Sequence, residues 1–141
     1  MKKVAIIYWS GTGNTEEMAN LINKGIEEKE CEARICPVSQ GKVEDIDWAD
    51  IVILGSPSMG SETIEEDEME PFVESIKNNV GDKVVGLFGS YDWGDGEWMR
   101  NWVERMESYG AKVFDEGCIV NLAPEGDQGS KCIDYGRRIV E

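Results

Sequence analysis

The 141-residue chain contains no histidine. That removes Ser–His and Cys–His nucleophile pairs, His-ligated zinc and the usual proton-transfer group of neutral pH. Its four cysteines, Cys31, Cys36, Cys118 and Cys132, form no C-x-x-C pair and match no zinc or iron–sulfur spacing. They read as free thiols of a reducing compartment. Positive charge is scarce as well: 14 Lys and Arg face 29 Asp and Glu, a formal net charge of −15. Such a surface repels a phosphate backbone, which argues against nucleic acid and for macromolecules that present a basic face. Long hydrophobic runs are also missing. The longest, such as Ile51–Leu54, are far too short to cross a bilayer, and Met1-Lys2-Lys3 leads into a strand pattern instead of a cleavable leader. The expectation is a cytoplasmic protein with no membrane partner, one domain spanning residues 1–141.

What is present alternates regularly. "VAIIYW" (Val4–Trp9), "DIVILGS" (Asp50–Ser56) and "KVVGLFGS" (Lys83–Ser90) are continuous apolar runs, the pattern of strands covered on both faces. "EARICPV" (Glu32–Val38) alternates more weakly, and "AKVFDEGCIVNL" (Ala111–Leu122) reads as a fifth strand with a break near Gly117. Helical spacing marks Met18, Leu21, Ile22 and Ile26, then Phe72, Val73, Ile76 and Val80, then Trp98 to Tyr109, and last Gln128 to the end. No helix is marked between the second and third strands. Strands followed by helices predict a doubly wound α/β fold, a parallel sheet with helices on both faces. In such sheets ligands bind beyond the carboxyl ends of the strands. Three segments there are rich in small polar residues: Ser10–Thr15, Ser56–Glu62 and Gly89–Gly96.

The first segment, Ser10-Gly11-Thr12-Gly13-Asn14-Thr15, joins a strand to a helix and contains no lysine or arginine. Its glycines let main-chain N–H groups turn inward, its hydroxyls add donors, and the helix amino terminus adds partial positive charge. Neutral donors of this kind suit a phosphate monoester. A nucleotide P-loop would require G-x-x-x-x-G-K-[ST], and a dinucleotide fold would want glycine where Glu16 stands. The spacing therefore points to one terminal phosphate.

"SGTGNT", "SPSMGSE" and "GSYDWGDGEW" together resemble the three cofactor loops of the flavodoxins, small FMN-binding electron carriers, and the likeness runs the length of the chain. Without a long insertion in the last strand it is similar to the short-chain members. The resemblance implies a five-stranded sheet in the order 2-1-3-4-5, flavodoxins being the standard example of FMN at such a switch point. It places Ser10, Gly11, Thr12, Gly13, Asn14 and Thr15 around the FMN 5′-phosphate. Pro57, Ser58, Met59, Gly60, Ser61 and Glu62 form the second loop, and Gly89, Ser90, Tyr91, Trp93, Gly94 and Asp95 the third. Met59 and Trp93 would flank the ring, Glu62 would accept from its N3–H, and no catalytic residue or metal is implied. Met59-Gly60-Ser61-Glu62 reads as a type II′ turn whose Gly60–Ser61 peptide would flip on reduction. Two residues depart from the pattern: Pro57 stands where some members offer a hydroxyl, and Asp92 where glycine is frequent. Within the acidic run Glu62–Pro71 most side chains are expected in solvent. A unit charge ~12 Å from the ring at an effective dielectric of ~40 contributes roughly 0.7 kcal/mol. Four such acids would lower the potential by roughly 120 mV. The implied function is a monomeric, low-potential one-electron carrier that cycles FMN between semiquinone and hydroquinone and meets redox partner proteins through their basic patches. An FMN-dependent NAD(P)H quinone reductase on the same fold is the alternative, and a phosphate-binding sensor a more distant one.

Overall fold

Lys2–Tyr8 forms the first strand (β1), buried from Val4 onward in the computed structural model, which describes residues 1–141. Ala5 and Ile7 face one layer of core, and Val4, Ile6 and Tyr8 the other. That two-sided burial is why the run is apolar without interruption. β2 (Cys31–Pro37) and β3 (Ile51–Gly55) flank β1, and β4 (Val84–Tyr91) lies beyond β3. β5 (Lys112–Val113) and β6 (Cys118–Asn121) both pair with β4. All pairings are parallel, in the expected order β2-β1-β3-β4-β5, with β6 continuing along β4 where β5 stops. The break foreseen near Gly117 is real: Asp115, Glu116 and Gly117 have φ of 53°, 55° and 90°, three left-handed residues that carry the chain out of the sheet.

On one face α1 (Asn14–Ile26) and α5 (Asp127–Ile139) pack over Ile6, Ile53 and Phe88. On the other, α2 (Val43–Trp48), α3 (Met69–Ser75) and α4 (Glu97–Ser108) pack over Ile7, Leu54 and Leu87. Full burial of each such side chain contributes roughly 1.5–3 kcal/mol. Trp98 and Trp102 of α4 are 1 % and 2 % exposed, the core residues their spacing predicts. No helix is long and apolar enough to cross a membrane. α1 and α5 cross backbone to backbone. A Cβ on Gly136 would stand 3.0 Å from the Ile22 carbonyl carbon, and one on Gly25 2.9 Å from the Arg137 amide nitrogen.

Two helices differ from the sequence reading. α2 spans six residues, under two turns, and buries only Ile46 completely, so no apolar repeat can announce it. Its start is fixed by the Lys42 N–H donating to Asp45 Oδ2 at 3.0 Å. α3 begins at Met69, earlier than the apolar spacing indicates, and ends at Ser75. Its start is set by Glu65, whose carboxylate accepts the N–H groups of Asp67, Glu68 and Met69 at 2.8, 2.8 and 2.9 Å. After Ser75 the chain tightens into i→i+3 bonds, such as Asn79 N–H to Ile76 O, which still leave Ile76 and Val80 fully buried. The outer side of β6 is occupied by α5 side chains. Asn121 N–H donates to Gln128 Oε1 at 2.8 Å, Gln128 Nε2 donates to Asn121 O at 2.9 Å, and Lys131 Nζ donates to Ile119 O at 2.7 Å.

Candidate functional site

The carboxyl ends of β1, β3, β4 and β6 open into a cleft of about 390 Å³. Gly11, Thr12, Asn14 and Thr15 line it from the first loop, Pro57, Ser58 and Met59 from the second, and Ser90, Tyr91 and Asp92 from the third. The first loop is shaped from within. Ser10 Oγ accepts the N–H groups of Gly13 and Glu16, both at 3.2 Å, and Gly13 takes a φ of 102° just before α1, a conformation that suits glycine. Tyr8 O–H donates to Glu16 Oε2 at 3.0 Å and ties the first turn of α1 to the end of β1. Burial and that neighbouring carboxylate push the Tyr8 hydroxyl above its ordinary pKa.

The consequence lies in what the loop leaves free. The backbone N–H groups of Gly11, Thr12, Asn14 and Thr15 make no hydrogen bond within the protein. These are the same four residues that line the cleft. Unpaired amides at the head of a thirteen-residue helix form an anion cradle without any cationic side chain. Thr15 Oγ1 and Ser90 Oγ lie 3.2 Å apart, joining the first loop to the third. Ser58 N–H donates to Ser90 O at 3.0 Å, joining the second.

Two buried side-chain oxygens of the second loop have no partner: Ser58 Oγ, in the cleft lining, and Glu62 Oε1, outside it. Glu62 is 8 % exposed, and its carboxylate lies against Gly94, where a Cβ would stand 2.6 Å from the carboxylate carbon. An orphaned carboxylate oxygen in such a position calls for an N–H donor.

The second loop is wider than a four-residue turn. Met59 and Thr63 exchange backbone bonds of 2.8 and 3.0 Å, and the connection between them has φ of 46° at Gly60 and 55° at Glu62. Ser61 is not among the residues with positive φ. Nothing lies within 4 Å of where a Gly60 Cβ would be, so this tip has room to move.

Of the residues expected at the site, Ser10, Gly13, Gly60, Ser61, Glu62, Gly89, Trp93, Gly94 and Asp95 lie beyond the cleft lining. Trp93 stands 56 % exposed, next in sequence to the lining residue Asp92. Asp95 is bound to Arg100, with Nη2 3.1 Å from its Oδ1. Gly89 is buried inside β4, where its missing Cβ admits the Ser56 carbonyl. Trp9 and Leu122 also line the cleft and are absent from the sequence reading. Each directly follows or closely follows a strand's carboxyl end, the signal by which the other loops are found. Trp9 Nε1 donates to Glu68 Oε1 at 3.2 Å, and Leu122 holds a φ of 62°.

The Flavodoxin family model matches residues 6–136. The chain belongs to the flavodoxin family. It is 47 % identical over 135 residues to a flavodoxin of Clostridium beijerinckii, covering 96 % of this chain and 97 % of that one. A flavodoxin of Megasphaera elsdenii is 42 % identical over 133 residues, covering 94 % and 95 %. The solution structure of two-electron reduced Megasphaera elsdenii flavodoxin superposes with a TM-score of 0.87 over 96 % of this chain and 97 % of that one, at 39 % identity. Flavodoxins are FMN-binding electron-transfer proteins, and the cleft fits that cofactor on its own terms. Unpaired amides on the cleft-lining first loop and an unpartnered Ser58 hydroxyl supply the kind of neutral donors a phosphate monoester needs.

Proposed function

We propose that this flavodoxin is a low-potential one-electron carrier that passes single electrons between redox proteins. The observation that carries the reading is the cradle of four unpaired amides opening into the cleft where all three loops meet. When bound, FMN would supply the one-electron redox chemistry. The chain does the rest. Ser10 to Thr15 hold the phosphate, with Ser58 and Ser90 as further donors. Met59 and Trp93 flank the ring, a thioether and an indole being suited to a flat aromatic face. Glu62 would accept from the ring N3–H, and backbone groups of Gly94 and Asp95 would reach its pyrimidine edge; Gly89, packed inside β4 against the Ser56 carbonyl, is not placed to do so. The surrounding acids Glu66, Asp67, Glu68 and Asp92 are exposed and make added negative charge at the ring unfavourable. They also invite a partner with a basic docking face. A monomer working in the cytoplasm fits this role.

The test begins with apoprotein and FMN. Uptake at micromolar concentration, two separated one-electron steps in an anaerobic titration and negligible NAD(P)H oxidation are the expected results. Failure to take up FMN ends the proposal, and rapid NAD(P)H turnover replaces it with a reductase. The turn allows a finer check. If the Gly60–Ser61 peptide rotates on reduction, Ser61 must accept a positive φ that costs a side-chain-bearing residue about 1 kcal/mol. Ser61→Gly should therefore raise the potential for the first electron by roughly 40–60 mV. An unchanged or lower potential in spectroelectrochemistry would count against a rotating peptide.

A further inference from the structure

We infer that Trp98 is a positioning residue, whose indole N–H clamps the neck of the 57–64 loop and so sets the mobility of the turn that meets the flavin. This rests on reading Met59–Glu62 as that turn. Trp98 sits in α4, 1 % exposed, and its Nε1 donates to the Ser56 carbonyl at 3.1 Å. Its ring packs against Tyr91 of the cleft wall, centroids 5.6 Å apart and planes tilted by 49°. A Cβ on Gly89 would lie 3.2 Å from Trp98 Cζ2 and closer still to the Ser56 oxygen. Indole, glycine and carbonyl therefore form one tight joint under the site.

Ser56 is the point where the loop is anchored. Its N–H donates to Phe88 O at 3.0 Å, and its hydroxyl donates to Pro57 O at 3.0 Å while accepting Glu65 N–H at 2.9 Å. Ser56 and Glu65 thus pin both ends of the loop, Met59 and Thr63 close its waist, and Gly60, Ser61 and Thr63 are its exposed residues. Trp98 brings the fourth bond to this knot, from a helix that otherwise belongs to the core. Deleting it leaves a buried carbonyl unpaired at the entry to the turn, a cost that falls on the loop's anchored geometry. α4 carries its own control. Trp102, four residues on and 2 % exposed, has an indole nitrogen with no partner at all, so its N–H anchors nothing.

The experiment compares Trp98→Phe with Trp102→Phe, each keeping an aromatic ring in the same core. In apoprotein, amide exchange at Met59 and Thr63 should accelerate roughly tenfold in W98F and stay unchanged in W102F. In FMN-loaded protein the first-electron potential should shift in W98F alone. Unchanged exchange in W98F, or equal effects from the two variants, overturns the inference. So does a potential that S61G moves and W98F leaves still. If exchange accelerates in W98F but neither W98F nor S61G moves the potential, the clamp stands and the assignment of the turn to the flavin fails. Wild-type protein supplies a reading that does not depend on any variant folding. By NMR the Trp98 indole N–H should exchange slowly and its resonance should move on reduction. An indole signal indifferent to reduction overturns the link.

Discussion

A Thr12→Asp variant should fold normally and lose FMN affinity by roughly a thousandfold. Thr12 is exposed on the first loop and lines the cleft, and its backbone N–H is one of the four without a partner. No lysine or arginine stands between Tyr8 and Ile22 to absorb an added negative charge. Two unit charges ~4 Å apart at an effective dielectric of ~20 repel by about 4 kcal/mol. At 1.4 kcal/mol per decade that is close to three orders of magnitude. Quenching of FMN fluorescence on titration reads the affinity, and thermal unfolding of the apoprotein reads the fold. Thr12→Ser, which keeps the hydroxyl and the amide, should bind within a fewfold of wild type. If Thr12→Asp binds as tightly as wild type, the phosphate is not held at this loop.

The second large effect concerns the frame behind that loop. Gly136→Ala should destabilise the protein by about 2–4 kcal/mol. The melting temperature should fall by roughly 5–15 °C. The sign is what makes this informative. In an open helix interior, alanine in place of glycine gains about 1 kcal/mol. Here the new methyl group would run into the Ile22 carbonyl, because α1 and α5 cross with no side chain between them. α1 is the helix whose amino end forms the anion cradle, so forcing the pair apart also tilts the cradle. Calorimetry decides between the two signs. A variant more stable than wild type would mean the helices do not approach this closely.

Much of this was legible in the residues because two-sided burial writes itself into sequence. A strand such as Val4–Tyr8, covered by helices on both faces, must be apolar throughout, and the small polar residues that follow it then stand out as a loop. Trp98 and Trp102 were readable as core for the same reason, through helical spacing. What escaped has a physical cause in each case. α2 is too short to repeat its pattern. Glu65 sits in a run of acids and looks like its solvated neighbours Glu66 and Asp67, yet it is 4 % exposed because three main-chain donors converge on it. The turn after Met59 widened by one residue because a backbone pair with Thr63, invisible in composition, closes it. Trp9 and Leu122 follow the carboxyl ends of β1 and β6, but as large apolar residues they lack the small polar composition that marks the three loops.

The arrangement of Gln128 on β6 has a consequence for how this molecule meets others. A bare strand at the margin of a sheet can anneal to a strand of any passing chain. The Gln128 amide occupies both main-chain positions of Asn121, and Lys131 takes the Ile119 carbonyl, so three of the pairing groups on that margin are already engaged. At the opposite margin Arg34 of β2 lies over the Trp48 ring, 3.8 Å from its centroid, beside Asp45. Side chains that occupy or crowd both margins make lateral fusion of one sheet to another less favourable.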